Sequence, residues 1–176
     1  FKFEKPLFFV AQTGTKVMEN KNIGSFDSAI RINNELPSEI LLPLLIKLCE
    51  KYDIMLKEHN ADYISTHGLK WHPRLRIHAA NIAPEFGVTE FCSLINILEQ
   101  NKLNDLAKKF INISYNSKKW KKWVIDEKKI TKRDKAILSG HYTFALEEFK
   151  LLKKEASLKL KNKGINLNRE LKFSIE

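Results

Sequence analysis

The chain lacks the features of several large protein classes. It has only two cysteines, Cys49 and Cys92, each beside apolar residues in a segment with helical periodicity, so we expect buried, reduced thiols rather than a disulfide framework. No apolar run approaches the roughly twenty residues of a membrane span and no signal peptide opens the chain, which predicts a cytoplasmic protein with no membrane partner. A zinc ribbon, a Walker-type phosphate loop, a dinucleotide fingerprint and a serine nucleophile elbow are all missing from the sequence.

Lysine is in marked excess. The chain carries 31 Lys+Arg against 21 Asp+Glu, a formal net charge of +10 that by itself favours a polyanionic partner. Many lysines in the second half are mixed with glutamate, as on solvated helix faces. Trp120 and Trp123 interleave with lysines, as in a platform for single-stranded nucleic acid, but their helical spacing favours core packing. A basic nucleic-acid-binding module is therefore an alternative, and we do not expect nucleic acid as the main partner.

The first half alternates apolar runs with segments of helical periodicity. Residues 3–11 predict a buried strand, and Gly14 lets the chain turn after it. The polar stretch 16–34 could include a short helix over 28–33. A helix is predicted from Pro37 to about Tyr52, with a bend at Pro43. Its apolar face is predicted to consist of Ile40, Leu41, Leu44, Leu45, Leu48 and Cys49.

Two further strands are predicted over 54–56 and 76–82, and a helix follows from about Thr89. Strands that alternate with amphipathic helices are typical of βαβ units and a parallel sheet. After residue 101 the periodicity is helical, with Gly140 and Gly164 predicted to separate or end helices. We therefore expect strands and helices over 1–100 and a helical extension of the same domain over 101–176.

Ionisable side chains cluster where the second strand ends. Glu58, His59 and Asp62 lie within five residues of one another. A histidine with neighbouring carboxylates can bind a divalent metal through a neutral imidazole nitrogen, or act as an acid or base whose tautomer a carboxylate selects. The spacing is also compatible with a structural histidine at the strand end.

Three segments together resemble a known family. They are the sequence Val-Ala-Gln-Thr-Gly at 10–14, Lys-Glu-His-Asn-Ala-Asp-Tyr at 57–63 and Asn-Ile-Ala-Pro-Glu-Phe at 81–86. This set resembles the last three strands of the non-catalytic subunit of class II D-tagatose-1,6-bisphosphate aldolase, a family often labelled tagatose-6-phosphate kinase. The Trp-Lys-Lys at 120–122 and the region 134–142 look like the helical C-terminal part of the same family.

The resemblance implies the C-terminal part of a (β/α)8 TIM barrel, with strands six to eight followed by a helical extension. Such barrels place their sites at the C-terminal ends of the strands. By this analogy Gln12, Gly14, Asn81 and Glu85 bind substrate. A histidine at the place of His59 is a zinc ligand in the catalytic aldolases, where the metal would polarise the sugar carbonyl.

The implied function is that of an accessory subunit in sugar-phosphate metabolism. Its partners would be a sugar or sugar phosphate and either a catalytic aldolase subunit or further copies of the chain. The alternative is a zinc-dependent sugar 4-epimerase or aldolase, with His59 as the metal ligand and Glu58 or Asp62 as acid or base. A chain that opens at Phe1 in a strand-like run is, on this interpretation, a fragment of a longer protein.

Two departures from the family pattern bear on the substrate. The family's Lys is Asn81 here, which removes a cation that could meet a phosphate or a developing oxyanion. Glu85 adds a carboxylate where the family has a small residue. Both changes favour an unphosphorylated or differently decorated sugar.

Overall fold

The chain divides into two compact units, Phe1–Ala83 and Pro84–Glu176. The computed structural model describes residues 4–24, 26 and 38–175. The predicted short helix over 28–33 and the predicted helix start at Pro37 lie outside these residues. The division assigns the helix that follows the third strand to the second unit, whereas the predicted boundary fell near residue 100.

A parallel sheet forms the centre of the first unit. Its strands β1 (Phe8–Ala11), β4 (Met55–Glu58) and β5 (Ala79–Ala80) lie in the order β1-β4-β5. Helix α1 (Ser38–Tyr52) connects β1 to β4 and helix α2 (Thr66–Arg74) connects β4 to β5. Strands β2 (Val17–Met18) and β3 (Lys21–Asn22) form an antiparallel pair within the loop after β1. The predicted parallel strands and the helix between the first two are confirmed.

The barrel prediction is wrong. The sheet has β1 at one edge and β5 at the other, and among the described residues no strand pairing closes it into a barrel. The chain therefore does not have the fold of strands six to eight of a TIM barrel. A strand-helix-strand pattern specifies parallel neighbours but not closure, because closure depends on strand number and stagger around the whole sheet.

Helix α1 packs on the sheet with a face that overlaps the predicted one only in part, because Leu45 and Cys49 belong to both. Leu42 and Cys49 are buried, and Leu45 and Ile46 pack beside them against the core that contains Leu56. By contrast, four side chains of the helix are exposed at intervals of four residues: Ile40, Leu44, Leu48 and Tyr52. The segment is apolar almost all round, so its periodicity alone could not select the buried side.

The second unit is helical in its described part. Four longer helices are α3 (Pro84–Gln100), α4 (Asn104–Asn116), α5 (Lys132–Ser139) and α6 (Glu147–Lys161), and α7 (Leu167–Phe173) follows. Short 3-10 segments lie at Lys119–Lys122 and Gly140–Thr143. Thr131 caps α5 by accepting from the backbone N–H of Asp134. The predicted helical character after residue 101 is confirmed.

Phenylalanine rings centre the core of the second unit. Phe91, Phe110 and Phe149 are fully buried, and the rings of Phe110 and Phe149 meet edge to face at 4.9 Å between centroids. Gly140 lies against this core, where a Cβ atom would stand 2.0 Å from the Phe91 ring. Its backbone is right-handed, with φ of −55°, so the glycine is needed for close packing rather than for a left-handed helix end. Gly164, with φ of 77°, does adopt the left-handed conformation predicted after α6.

The cysteines are free thiols in the structure: Cys49 is buried and Cys92 half-buried. Burial raises the pKa of the Cys49 thiol. Across residues 4–24, 26 and 38–175, no helix is long and apolar enough to cross a membrane.

Candidate functional site

The C-terminal edge of the parallel sheet gathers most of the residues predicted from sequence. The register aligns Ala11 with Glu58 and Glu58 with Ala80. Gln12, His59 and Asn81 are therefore the next residues of three adjacent strands. Two backbone hydrogen bonds continue the ladder there, from the His59 N–H to the Ala11 carbonyl and from the Asn81 N–H to the Glu58 carbonyl, each 2.8 Å long. Parallel strand ends commonly form ligand sites in open α/β sheets.

Glu58 anchors the loop that follows β1. The carboxylate is fully buried, and its Oε1 accepts from the Thr13 backbone N–H and from the Thr15 hydroxyl, both at 2.9 Å. The Thr13 hydroxyl donates to Oε2. Thr13 and Thr15 are themselves fully buried, so the carboxylate supplies acceptors to groups that have lost contact with water.

Burial raises the pKa of the Glu58 carboxyl, because removal from water penalises the charged form. The hydrogen bonds from the Thr13 backbone and the Thr15 hydroxyl act in the opposite direction. Both oxygens are engaged inside the protein and the side chain has no exposed surface. This geometry supports a positioning role for Glu58, and its predicted acid/base role stays a prediction.

Gly14 and Gln12 shape the same loop. Gly14 has φ of 102°, a conformation that favours glycine, and its carbonyl accepts from the Phe26 N–H at 3.0 Å. The side-chain NH2 of Gln12 donates to the Thr15 carbonyl, so the side-chain oxygen of Gln12 can accept from another partner. Gln12 is exposed, whereas Gly14 is buried. The structure therefore places Gln12 at the surface of the site and Gly14 in the turn beneath it.

His59 presents an exposed imidazole beside Asn81. The Asn81 side-chain Nδ2 lies 3.4 Å from Nδ1 of His59, so the two groups can pair when the ring tautomer leaves Nδ1 as an acceptor. The Thr15 hydroxyl also lies 2.5 Å from the backbone carbonyl of His59, so its single proton is shared between this carbonyl and Glu58 Oε1. His59 is thus held through its backbone while its ring faces solvent.

Asp62 orders the loop after β4. The side chain is 1% exposed, and its Oδ1 accepts from the Ala83 backbone N–H at 3.0 Å. Asn22, on strand β3, donates through its amide to the backbone carbonyls of Asn60 and Asp62, at 3.0 and 2.9 Å. Asp62 therefore links the end of β4 to the segment after β5, and its predicted acid/base role stays a prediction.

Sequence reasoning missed Thr13, Thr15 and Asn22 as members of the site. The two threonines flank a glycine directly after a strand, opposite a glutamate at the end of the next strand. That arrangement was visible in the sequence, because parallel strand ends meet at one edge. The position of Asn22 depends on the β2–β3 pair and had no comparable signal.

The predicted zinc site is not supported by the residues present. Among residues 4–24, 26 and 38–175, no group of three or more His, Cys, Asp or Glu side chains could hold a metal ion. Zinc needs at least three protein ligands in its usual sites.

Glu85, predicted to bind substrate, lies in the first turn of α3 and belongs to the second unit.

Comparisons with known proteins identify no relative. No protein-family model, no curated protein and no solved structure matches the chain. The resemblance to the tagatose-bisphosphate aldolase family therefore stays a prediction based on the three segments quoted above.

Proposed function

We propose that the chain is an accessory, non-catalytic subunit of a class II tagatose-bisphosphate aldolase-like system in the cytoplasm, and that the C-terminal edge of its parallel sheet binds a sugar. The observation that carries the proposal is the row of Gln12, His59 and Asn81 at three adjacent strand ends. The family resemblance of the same segments supplies the substrate class.

The chemistry of the row suits a polyol. The Gln12 carbonyl, the His59 imidazole and the Asn81 amide offer uncharged donors and acceptors that can pair with sugar hydroxyls. Beneath them, Glu58 and Asp62 hold the flanking loops through buried hydrogen bonds. A site held by a buried network in this way loses little conformational entropy when it binds.

Sugar binding is tested by calorimetry with a free ketohexose and with its phosphate. His59→Ala and Asn81→Ala should each weaken binding about 5- to 50-fold, since each removes about one hydrogen bond to the ligand and leaves its partner unpaired. His67→Ala is the matched control, because His67 is an exposed histidine on α2 in the same unit. Equal loss in His67→Ala and His59→Ala would contradict the assigned site.

The accessory role is tested by mixing the chain with a catalytic class II aldolase subunit. We expect aldol cleavage to rise when the chain is added and to need the catalytic subunit throughout. Turnover by the chain alone with added zinc would instead support the metal-dependent epimerase or aldolase. If the catalytic subunit shows the same activity with and without the chain, the accessory proposal fails.

A further inference from the structure

The second unit contains two lysine-rich segments that differ in their surroundings. By sequence this unit carries 20 Lys+Arg against 12 Asp+Glu, so most of the net charge resides there. On α6, lysines face carboxylates: Lys150 lies 3.7 Å from Glu147 and Lys159 lies 2.7 Å from Glu155. This is the mixed helix face expected from the sequence.

The second segment, here called the lysine turn, consists of Lys118, Lys119, Lys121 and Lys122. All four side chains are exposed, and no carboxylate of the described residues lies within 4.0 Å of their ammonium groups. Residues 117–125 contain no acidic residue at all. Four like charges on one short turn repel one another unless an anion is bound.

Aromatic rings hold part of the lysine turn in place. The Lys122 ammonium lies 4.9 Å from the Trp123 ring centroid and 4.5 Å from that of Tyr142, and Lys121 lies 5.9 Å from the centroid of Trp120. Such cation–π contacts restrict the lysine side chains while leaving N–H donors exposed. The turn is therefore partly ordered before any partner binds.

Trp120 is not free to stack on bases. Trp120 is 3% exposed, its ring stacks on Tyr115 at 5.6 Å, and its Nε1 donates to the Tyr115 carbonyl at 2.9 Å. Lys135 covers the Trp120 ring at 4.7 Å. A platform for single-stranded nucleic acid needs open aromatic faces. Trp120 therefore provides no open stacking face, which weakens the single-strand interpretation of this segment.

The residue types also weigh against a protein partner. Hot spots of protein interfaces are enriched in exposed Trp, Tyr and Arg, and lysine is depleted there. The lysine turn contains no arginine, and Trp120 is buried. Lysine binds phosphate as a point charge without demanding a planar, two-point contact.

We propose that the lysine turn is a second binding surface of this protein, which binds the phosphate backbone of duplex nucleic acid by charge alone. A duplex presents about one negative charge per 1.7 Å of helix axis, a denser array than a single strand offers. Recognition is expected to be independent of base sequence, because the backbone phosphates carry the same charge in every sequence. This surface binds through positive charge, whereas the proposed sugar site of the first unit offers uncharged hydrogen-bond donors and acceptors.

The test is a fluorescence-anisotropy titration of a labelled 20-base-pair DNA duplex with the full chain at several salt concentrations. Lys118→Gln/Lys119→Gln is the main variant, because neither lysine lies over an aromatic ring of the described residues and their loss should leave the Trp120 packing intact. At about 50 mM salt we expect at least ~5-fold weaker binding. A plot of log affinity against log salt concentration should also become shallower, by about 0.9 for each lost phosphate contact.

Lys150→Gln/Lys159→Gln is the matched control, because it removes the same charge from lysines that already have carboxylate partners. It should change the affinity by less than about 2-fold, since paired lysines release few counterions. Circular dichroism should show both variants folded. An equal loss in the two variants, or no binding by the unmodified chain, overturns the proposal.

Two further probes distinguish other anions. A single-stranded oligonucleotide of the same sequence should bind more weakly than the duplex, and a polyglutamate peptide of matched charge should compete poorly. If polyglutamate competes as well as the duplex, the surface takes an acidic protein segment and the proposal is wrong. Tighter binding of the single strand would likewise contradict it.

Discussion

The two units differ in what they bury. The second unit centres on apolar side chains, with Phe91, Phe110 and Phe149 in one cluster. The first unit has a small apolar cluster around Leu56 and, beside it, a buried polar network around Glu58. The hydrophobic effect is non-directional, whereas a hydrogen-bonded network requires each donor to face its acceptor. The first unit therefore holds particular polar groups in fixed positions, whereas the second is stabilised mainly by buried apolar area.

The largest expected effect is at the centre of the second unit. Phe110→Ala removes a fully buried ring and leaves a cavity against Phe149, which should lower the free energy of unfolding by about 3–5 kcal/mol. Urea unfolding followed by the fluorescence of Trp120 and Trp123 measures it, because both tryptophans belong to this unit.

Phe173→Ala serves as the control for ring deletion. Phe173 is 58% exposed, so its loss should cost less than about 1 kcal/mol. If the two substitutions cost the same, the second unit does not depend on its apolar core and the comparison between the units fails.

A smaller effect is expected from the polar network of the first unit. Glu58→Ala leaves the Thr13 N–H and the Thr13 hydroxyl without their acceptors, at a cost of about 1–3 kcal/mol in unfolding free energy. Hydrogen exchange at the Thr13 amide would report the loosened loop directly. Unchanged exchange at Thr13 would show that the carboxylate does not hold the loop.

The pH dependence of Glu58→Gln sharpens this result. Because the folded pKa of Glu58 is raised, its contribution to stability is complete below the ordinary value of 4.5 and is lost as the pH rises through the folded pKa. Glutamine does not titrate. The variant should therefore gain stability relative to the unmodified chain between pH 4.5 and neutrality, as measured by urea unfolding. A difference independent of pH would contradict the raised pKa.

The smallest effect concerns His72, a buried polar group of the first unit outside the network. Its Nε2 has no hydrogen-bond partner among the described residues, and its ring stacks on Phe26 at 4.9 Å. Burial lowers the pKa of His72, so its contribution to stability is lost as the pH falls from 6.5 through the folded pKa.

His72→Phe should therefore be more stable to unfolding than the unmodified chain below pH 6.5. At pH 8 the two free energies of unfolding should differ by less than about 1 kcal/mol, because the ring shape is largely kept. Thermal unfolding at the two pH values measures the difference. If acidification lowers the stability of the unmodified chain no more than that of His72→Phe, protonation of His72 costs little stability.

Local patterns predicted much of the first unit, and tertiary packing decided the rest. The strand ends were approximately recognisable because short apolar runs stop at polar residues such as Gln12 and Lys57, although β4 continues to Glu58. The buried face of α1 was predicted only in part: Cys49 is buried as predicted, whereas Leu44 is exposed. A helix that is apolar on nearly every side gives no preferred direction until the sheet lies beside it. Glu58 was predicted to be a site residue. Its burial was not predicted, because it depends on hydrogen bonds with Thr13 and Thr15 in the loop after the neighbouring strand.

The amino-acid sequence by itself determined the alternation of the three parallel strands with helices, the helical character after residue 101, and the excess of lysine, because these depend on short-range periodicity and composition. Only the tertiary structure decided that the sheet stays open, which side of α1 is covered, and which lysines meet carboxylates. These outcomes depend on contacts between residues far apart in the chain, and local spacing carries no information about such contacts.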